Sequence, residues 1–95
     1  MSKTPPVPTI PSPSGVPEGG RQFAFLLVDK FSMFSLAAAI DGLRSANRLV
    51  GRDYYGWTTA SPDGEAVIAS NSLPLKVDYS VSDIPQVDIL FICAG

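Results

Sequence analysis

Between residues 22 and 93 the spacing of apolar side chains changes period, and each change marks an element. Gln22 to Val28 (QFAFLLV) is a nearly continuous run of aromatic and branched residues, the pattern of a strand covered on both faces. Asp29-Lys30-Phe31-Ser32 interrupts the run. Ser32 predicts a helix N-cap, because its hydroxyl can accept an orphan backbone N–H of the next turn. From Met33 to about Val50 the period becomes helical. Leu36, Ile40, Leu43, Asn47 and Val50 share one side, with Ala37, Ala39 and Ala46 beside them, and Asp41, Arg44, Ser45 and Arg48 take the other. The alanines predict a close approach of helix to sheet, Asp41 and Arg44 are spaced to pair, and Gly51 is placed to end the helix. Tyr54 to Ala60 (YYGWTTA) reads as a second strand. Ser61-Pro62-Asp63-Gly64 follows as a type I turn signal. Two short strands around 66–69 and 73–77 predict a hairpin, 79–86 a polar connection carrying Pro85, and Val87 to Cys93 (VDILFIC) another buried strand.

This order predicts an α/β domain, a partial flavodoxin-like parallel sheet with a small β-hairpin, in which the strands starting at 22 and 87 are parallel neighbours. Ligands of such sheets bind outside the carboxyl ends of the strands. The loops after Val28 and Cys93 then face each other across a crevice lined by Asp29, Lys30, Ser32, Ser35, Ala94 and Gly95. The plainer reading is that Ser32 only caps the helix and that Asp29 and Lys30 are solvated. Because the sequence reaches Gly95 just where such a site is built, the reading is of the first part of a larger domain.

Composition divides the chain. Residues 1–20 hold Pro5, Pro6, Pro8, Pro11, Pro13 and Pro17, and a segment so poor in large apolar side chains predicts a flexible or polyproline-like arm. Pro5, Pro8 and Pro11 also give PxxP spacing for a partner domain. Residues 21–95 remain for folding, a length at which one core supplies only a few kcal/mol. A net charge of −2, with four arginines scattered from 21 to 52, argues against DNA binding by these residues themselves. No apolar run is long enough to span a bilayer and no signal peptide is present, which sets the cytoplasm as the expected compartment.

Candidate chemistry is sparse. Neither GxGxxG nor GxxxxGK[ST] occurs, and no His or Cys cluster could hold a metal. Cys93 is the sole cysteine in a chain without histidine. A nucleophilic thiol needs a base or a depressed pKa, so Cys93 reads as a small buried hydrophobe.

FAFLLVDKFSMFSLAAAIDGLRSANRLVGRDYYGWTTASPDG, followed by ASNSLPLKVDYSVSDIP and DILFICAG, resembles the N-terminal half of the sensor domain in AraC-type transcriptional regulators of the GlxA kind. That domain has the fold of the DJ-1/PfpI and class I glutamine amidotransferase superfamily. The resemblance covers Phe23 to Gly95, with LRSANRL, ASPDG and ASNSL in the expected order. It implies a homodimeric sensor of a small, often nitrogen-containing metabolite, with DNA bound only by a C-terminal helix-turn-helix domain that is not in this sequence. In catalytic relatives the nucleophilic cysteine stands on a strand-to-helix turn downstream of the part matched here, so Cys93 does not correspond to it. The acidic residue of the first helix falls at or near Ser35, which is not acidic. Both departures count against catalysis and fit a fold reused for sensing; no metal or cofactor is expected. On this reading Phe31, Ser32, Ser35, Ala94 and Gly95 bind the effector. The alternative is part of a cysteine-dependent hydrolase or hydratase whose nucleophile lies beyond Gly95, and a third is a stand-alone interaction module.

Overall fold

The computed structural model describes residues 19–94. In chain order these form β1 (Arg21–Leu27), α1 (Met33–Val50), β2 (Tyr55–Ser61), β3 (Val67–Ile68), β4 (Pro74–Leu75), β5 (Tyr79–Ser80), a 3-10 turn (Val81–Asp83) and β6 (Ile89–Cys93). The Pro-rich arm, but for its last two residues, and its PxxP spacing lie outside the described residues.

β1 is the axis of the molecule. The main sheet runs β5-β2-β1-β6 with every pairing parallel, so β1 is hydrogen-bonded on both sides. Its burial explains the unbroken apolar run: Ala24 lies buried on one face, and Phe25 and Leu27 on the other. The register sets Phe25 level with Thr59 of β2 and Phe91 of β6. The flavodoxin-like arrangement expected from the sequence is therefore present, with β3 and β4 forming the small antiparallel hairpin.

α1 crosses from β1 to β2 and is anchored by a narrow stripe. Leu36 is buried against Phe25 and Leu27, with Ile40 and Leu43 half-buried beside it; each such side chain contributes about 1.5–3 kcal/mol when fully buried. The expected stripe fails at its last position. Val50 is exposed, while Asn47 one turn earlier is buried, because the helix ends beyond the sheet and only its polar Asn47 reaches back to it. Ala37 and Ala39 are also exposed, so the alanine run does not bring α1 close to the sheet as the sequence suggested. Ser32 caps the helix, its Oγ accepting the Ser35 N–H at 3.1 Å. Gly51 ends it at φ +88°, a left-handed turn that lets the Arg52 N–H reach the Asn47 carbonyl.

Two other expectations change. Tyr79 and Ser80, read as polar connection, form β5 beside Ala60 and Ser61. The cause is Asp78, whose Oδ2 accepts from the Thr58 hydroxyl, the Thr59 N–H and the Thr59 hydroxyl and so ties this segment to β2. Among the described residues nothing covers the outer part of β6: Ile89, Leu90, Phe91 and Ile92 are exposed, and β6 pairs only with β1. No described helix is long and apolar enough to cross a membrane.

Candidate functional site

The candidate site sits at the carboxyl ends of β1 and β6. The two strands stay paired to the last residue, where the Val28 N–H donates to the Cys93 carbonyl at 3.0 Å. The chain then turns sharply into α1. Lys30 adopts φ +69°, an uncommon conformation for a side chain of this kind, and its N–H is held by the Ile68 carbonyl at 2.6 Å. The Phe31 N–H donates to the Val28 carbonyl, and the Ser70 N–H to the Phe31 carbonyl. The turn between strand and helix is thus clamped to the β3–β4 hairpin, which fixes where α1 begins.

That start leaves a cleft of about 310 Å³ between α1 and β6, at the small end of the range for ligand pockets. Ser32, Ser35 and Ala39 form one wall, Phe91, Cys93 and Ala94 the other, and Phe25 and Leu36 the floor. Phe25 and Phe91 stack with centroids 5.6 Å apart where the floor meets this second wall. No charged side chain lines the cleft. Its polar groups are two hydroxyls, a thiol and the main chain of Ala94. Burial pushes the Cys93 thiol above its ordinary pKa, which disfavours the thiolate that nucleophilic chemistry needs. Among the described residues no group of His, Cys, Asp and Glu side chains could hold a metal ion.

Of the residues expected at the site, Ser32, Ser35 and Ala94 come together here. Phe31 does not reach the cleft. It is 0% exposed and packs with Leu27, Leu36, Val67 and Ala69 in the core. Asp29 and Lys30 are exposed and line no part of the cleft, and Gly95 lies outside the described residues. Sequence reasoning missed Leu36 and Ala39, although each stands four residues beyond a serine it named and so shares its helix face. Cys93, expected as a small buried hydrophobe, packs half-buried against the core and, paired with Leu27, also lines the cleft.

No family model matches the chain. The chain is 43% identical over 84 residues to the HTH-type transcriptional regulator GbdR of Pseudomonas aeruginosa, a match covering 85% of this chain and 23% of that protein. Against the HTH-type transcriptional regulator CdhR of the same organism it is 37% identical over 75 residues, 79% of this chain and 22% of the relative. A solved AraC family transcriptional regulator from Pseudomonas putida superposes with a TM-score of 0.69 at 33% identity, covering 79% of this chain and 47% of that one. The chain is a homologue of AraC-type transcriptional regulators. It spans less than a quarter of the length of the curated relatives it matches. A DJ-1 superfamily protein from Agrobacterium tumefaciens also superposes, with a TM-score of 0.58 at 28% identity over 79% of this chain and 38% of that one. The parallel sheet and its helix are therefore the DJ-1/PfpI-like fold that the sequence resembles.

Proposed function

We propose that residues 21–95 are the N-terminal part of an effector-sensing domain of a transcriptional regulator, and that the cleft between α1 and β6 receives the effector. The observation that carries this reading is the cleft itself, a small uncharged opening at the carboxyl ends of two adjacent parallel strands. Its size suits a small metabolite. With no basic side chain in its lining and the half-exposed Phe91 ring in one wall, the cleft suits a nitrogen-containing cation better than an anion.

The mechanism is a shift of population. One wall belongs to the start of α1 and the other to the end of β6, so a ligand touching both favours conformations in which the two are held together. The domain carries out no catalysis, acts in the cytoplasm as a homodimer and reaches DNA through a separate helix-turn-helix domain. The names of the relatives, all transcriptional regulators, support sensing over cysteine chemistry.

The test is a calorimetric titration of the full-length protein with a panel of amino acids and quaternary amines, tetramethylammonium and choline included. At least one probe will bind saturably. Ser35→Trp, which fills the cleft from an exposed position, will weaken that binding at least about tenfold, roughly 1.4 kcal/mol, with the melting temperature unchanged. Undiminished binding by this variant places the effector elsewhere.

A further inference from the structure

The cleft is not uniform along its length. α1 begins where β1 and β6 end and runs back against them, so Ser32 starts level with the carboxyl end of β6 and each later turn lies further down the strand. At 100° per residue Ser32, Ser35 and Ala39 fall within about 60° of one another, which makes them one wall. From Ser32 to Ala39 that wall runs about 10.5 Å, and from Ala94 back to Phe91 the facing strand covers about 10 Å. The two walls therefore match end to end, with Ser32 opposite Ala94 and Ala39 opposite Phe91. Their chemistry changes on the way. At the Ser32 end, the Ser32 Oγ accepts the Ser35 N–H, which leaves its hydroxyl proton to donate. At the Ala39 end, among the described residues, no lining side chain carries a hydrogen-bonding group. Ala39 offers a methyl group and Phe91 a ring that is 47% exposed. The ring is fixed in place, since it stacks on Phe25 at 5.6 Å and on Phe23 at 6.1 Å. Leu43, one turn beyond Ala39, packs half-buried against the core and closes this end.

We propose that the end between Ala39 and Phe91 takes the cationic head of the effector, and that Ala39 selects an N-methylated head over an unmethylated one. This rests on the cleft being the effector site, and adds where the cation lies and which residue chooses it. An unmethylated ammonium carries three N–H donors, and burying them where no side chain accepts is costly. A trimethylammonium has no donor to satisfy, brings apolar surface of its own and keeps the charge that an aromatic ring attracts. Ala39 is the selecting position because its small side chain leaves the space over Phe91 open. Leucine there adds three carbons, as many as the three methyl groups of the head it would displace.

Calorimetric titration of the full-length protein with choline and with ethanolamine tests the proposal, as the two share a hydroxyethyl tail and differ by three methyl groups on nitrogen. The wild type will bind choline at least about tenfold more tightly than ethanolamine. Ala39→Leu will weaken choline binding at least about tenfold and ethanolamine binding less than about threefold. Its circular dichroism will be unchanged, since Ala39 is exposed and leucine is a comparable helix former. Ala37→Leu, the same change at an exposed position outside the cleft, will alter neither affinity. The proposal is overturned if the wild type binds neither amine or binds both alike, if Ala39→Leu weakens both equally, or if Ala37→Leu acts as Ala39→Leu does. Ser35→Trp separates this failure from failure of the cleft itself. Where Ser35→Trp abolishes binding while Ala39→Leu keeps the preference for choline, the cleft holds the effector and Ala39 does not select it. Where Ser35→Trp leaves binding undiminished, both readings fall.

Discussion

Phe31→Ala is expected to cost about 3–5 kcal/mol of stability, the usual range for emptying a buried aromatic site. Phe31 is fully buried and joins Leu27 at the end of β1, Leu36 of α1, and Val67 and Ala69 of the hairpin region. Its backbone is held on both sides, so the loop cannot collapse freely into the space left behind. A folded domain has only some 5–15 kcal/mol in total. Thermal unfolding of the full-length protein followed by circular dichroism should show the domain's transition lowered by more than about 10 °C. The same residue was expected to touch the effector, and a second substitution separates the two roles. Phe31→Leu keeps an apolar side chain in the core and should retain effector affinity while losing less stability. A well-folded Phe31→Leu protein that no longer binds would place the ring in the site after all.

The second large effect is expected at Asn47. Its Oδ1 accepts the Tyr55 N–H at 2.7 Å and its Nδ2 donates to the Tyr55 carbonyl at 2.9 Å, so one amide satisfies both backbone groups at the start of β2. Asn47→Ala leaves two part-buried backbone groups unpaired and should cost about 2–6 kcal/mol, from roughly 1–3 kcal/mol per unsatisfied group. Asn47→Asp retains the acceptor but sets an ionised oxygen against the Tyr55 carbonyl. The protonated carboxyl can donate there instead, so the folded-state pKa of the new group is raised above its unfolded value. Its stabilisation is then fully present below the unfolded carboxylate pKa and is lost as pH rises through the folded one. Urea melts at several pH values should show Asn47→Asp gaining stability relative to wild type towards acid, with Asn47→Ala showing no such trend. Equal stability of wild type and Asn47→Ala would mean that water replaces the amide.

These two residues also show what the sequence could and could not reveal. The periodicity marked Asn47 as an inward position among apolar neighbours, which was right, but not that a polar group stood there to complete the next strand. That partner lies eight residues on, across the end of the helix, and local spacing does not report it. Phe31 looked accessible because it sits in a short polar break, Asp29 to Ser32. Only the hairpin folding over that break buries it. The parallel pairing of β1 with β6 followed from two apolar runs and the α/β order, and the place of the cleft followed from that pairing. Exposure of β6 and of Val50 could not be read from composition, since apolar runs mark what can be buried and not what covers them.

Legibility of the site divided in the same way. Ser32 and Ser35 follow from the N-cap and the next turn of α1, both local signals. The opposite wall depends on register, because Cys93 lines the cleft only through its pairing with Leu27. The β5 segment was missed for a related reason, as two residues of strand are specified less by their own side chains than by the three contacts of Asp78.

The central claim, that an effector is taken up between α1 and β6, is tested most directly by amide hydrogen exchange of the full-length protein with and without a panel probe that binds. The account predicts slowed exchange confined within this region to residues 28–39 and 91–94, the two walls of the cleft. Protection of the β3–β4 hairpin or the far end of α1, with those two segments unchanged, would contradict it.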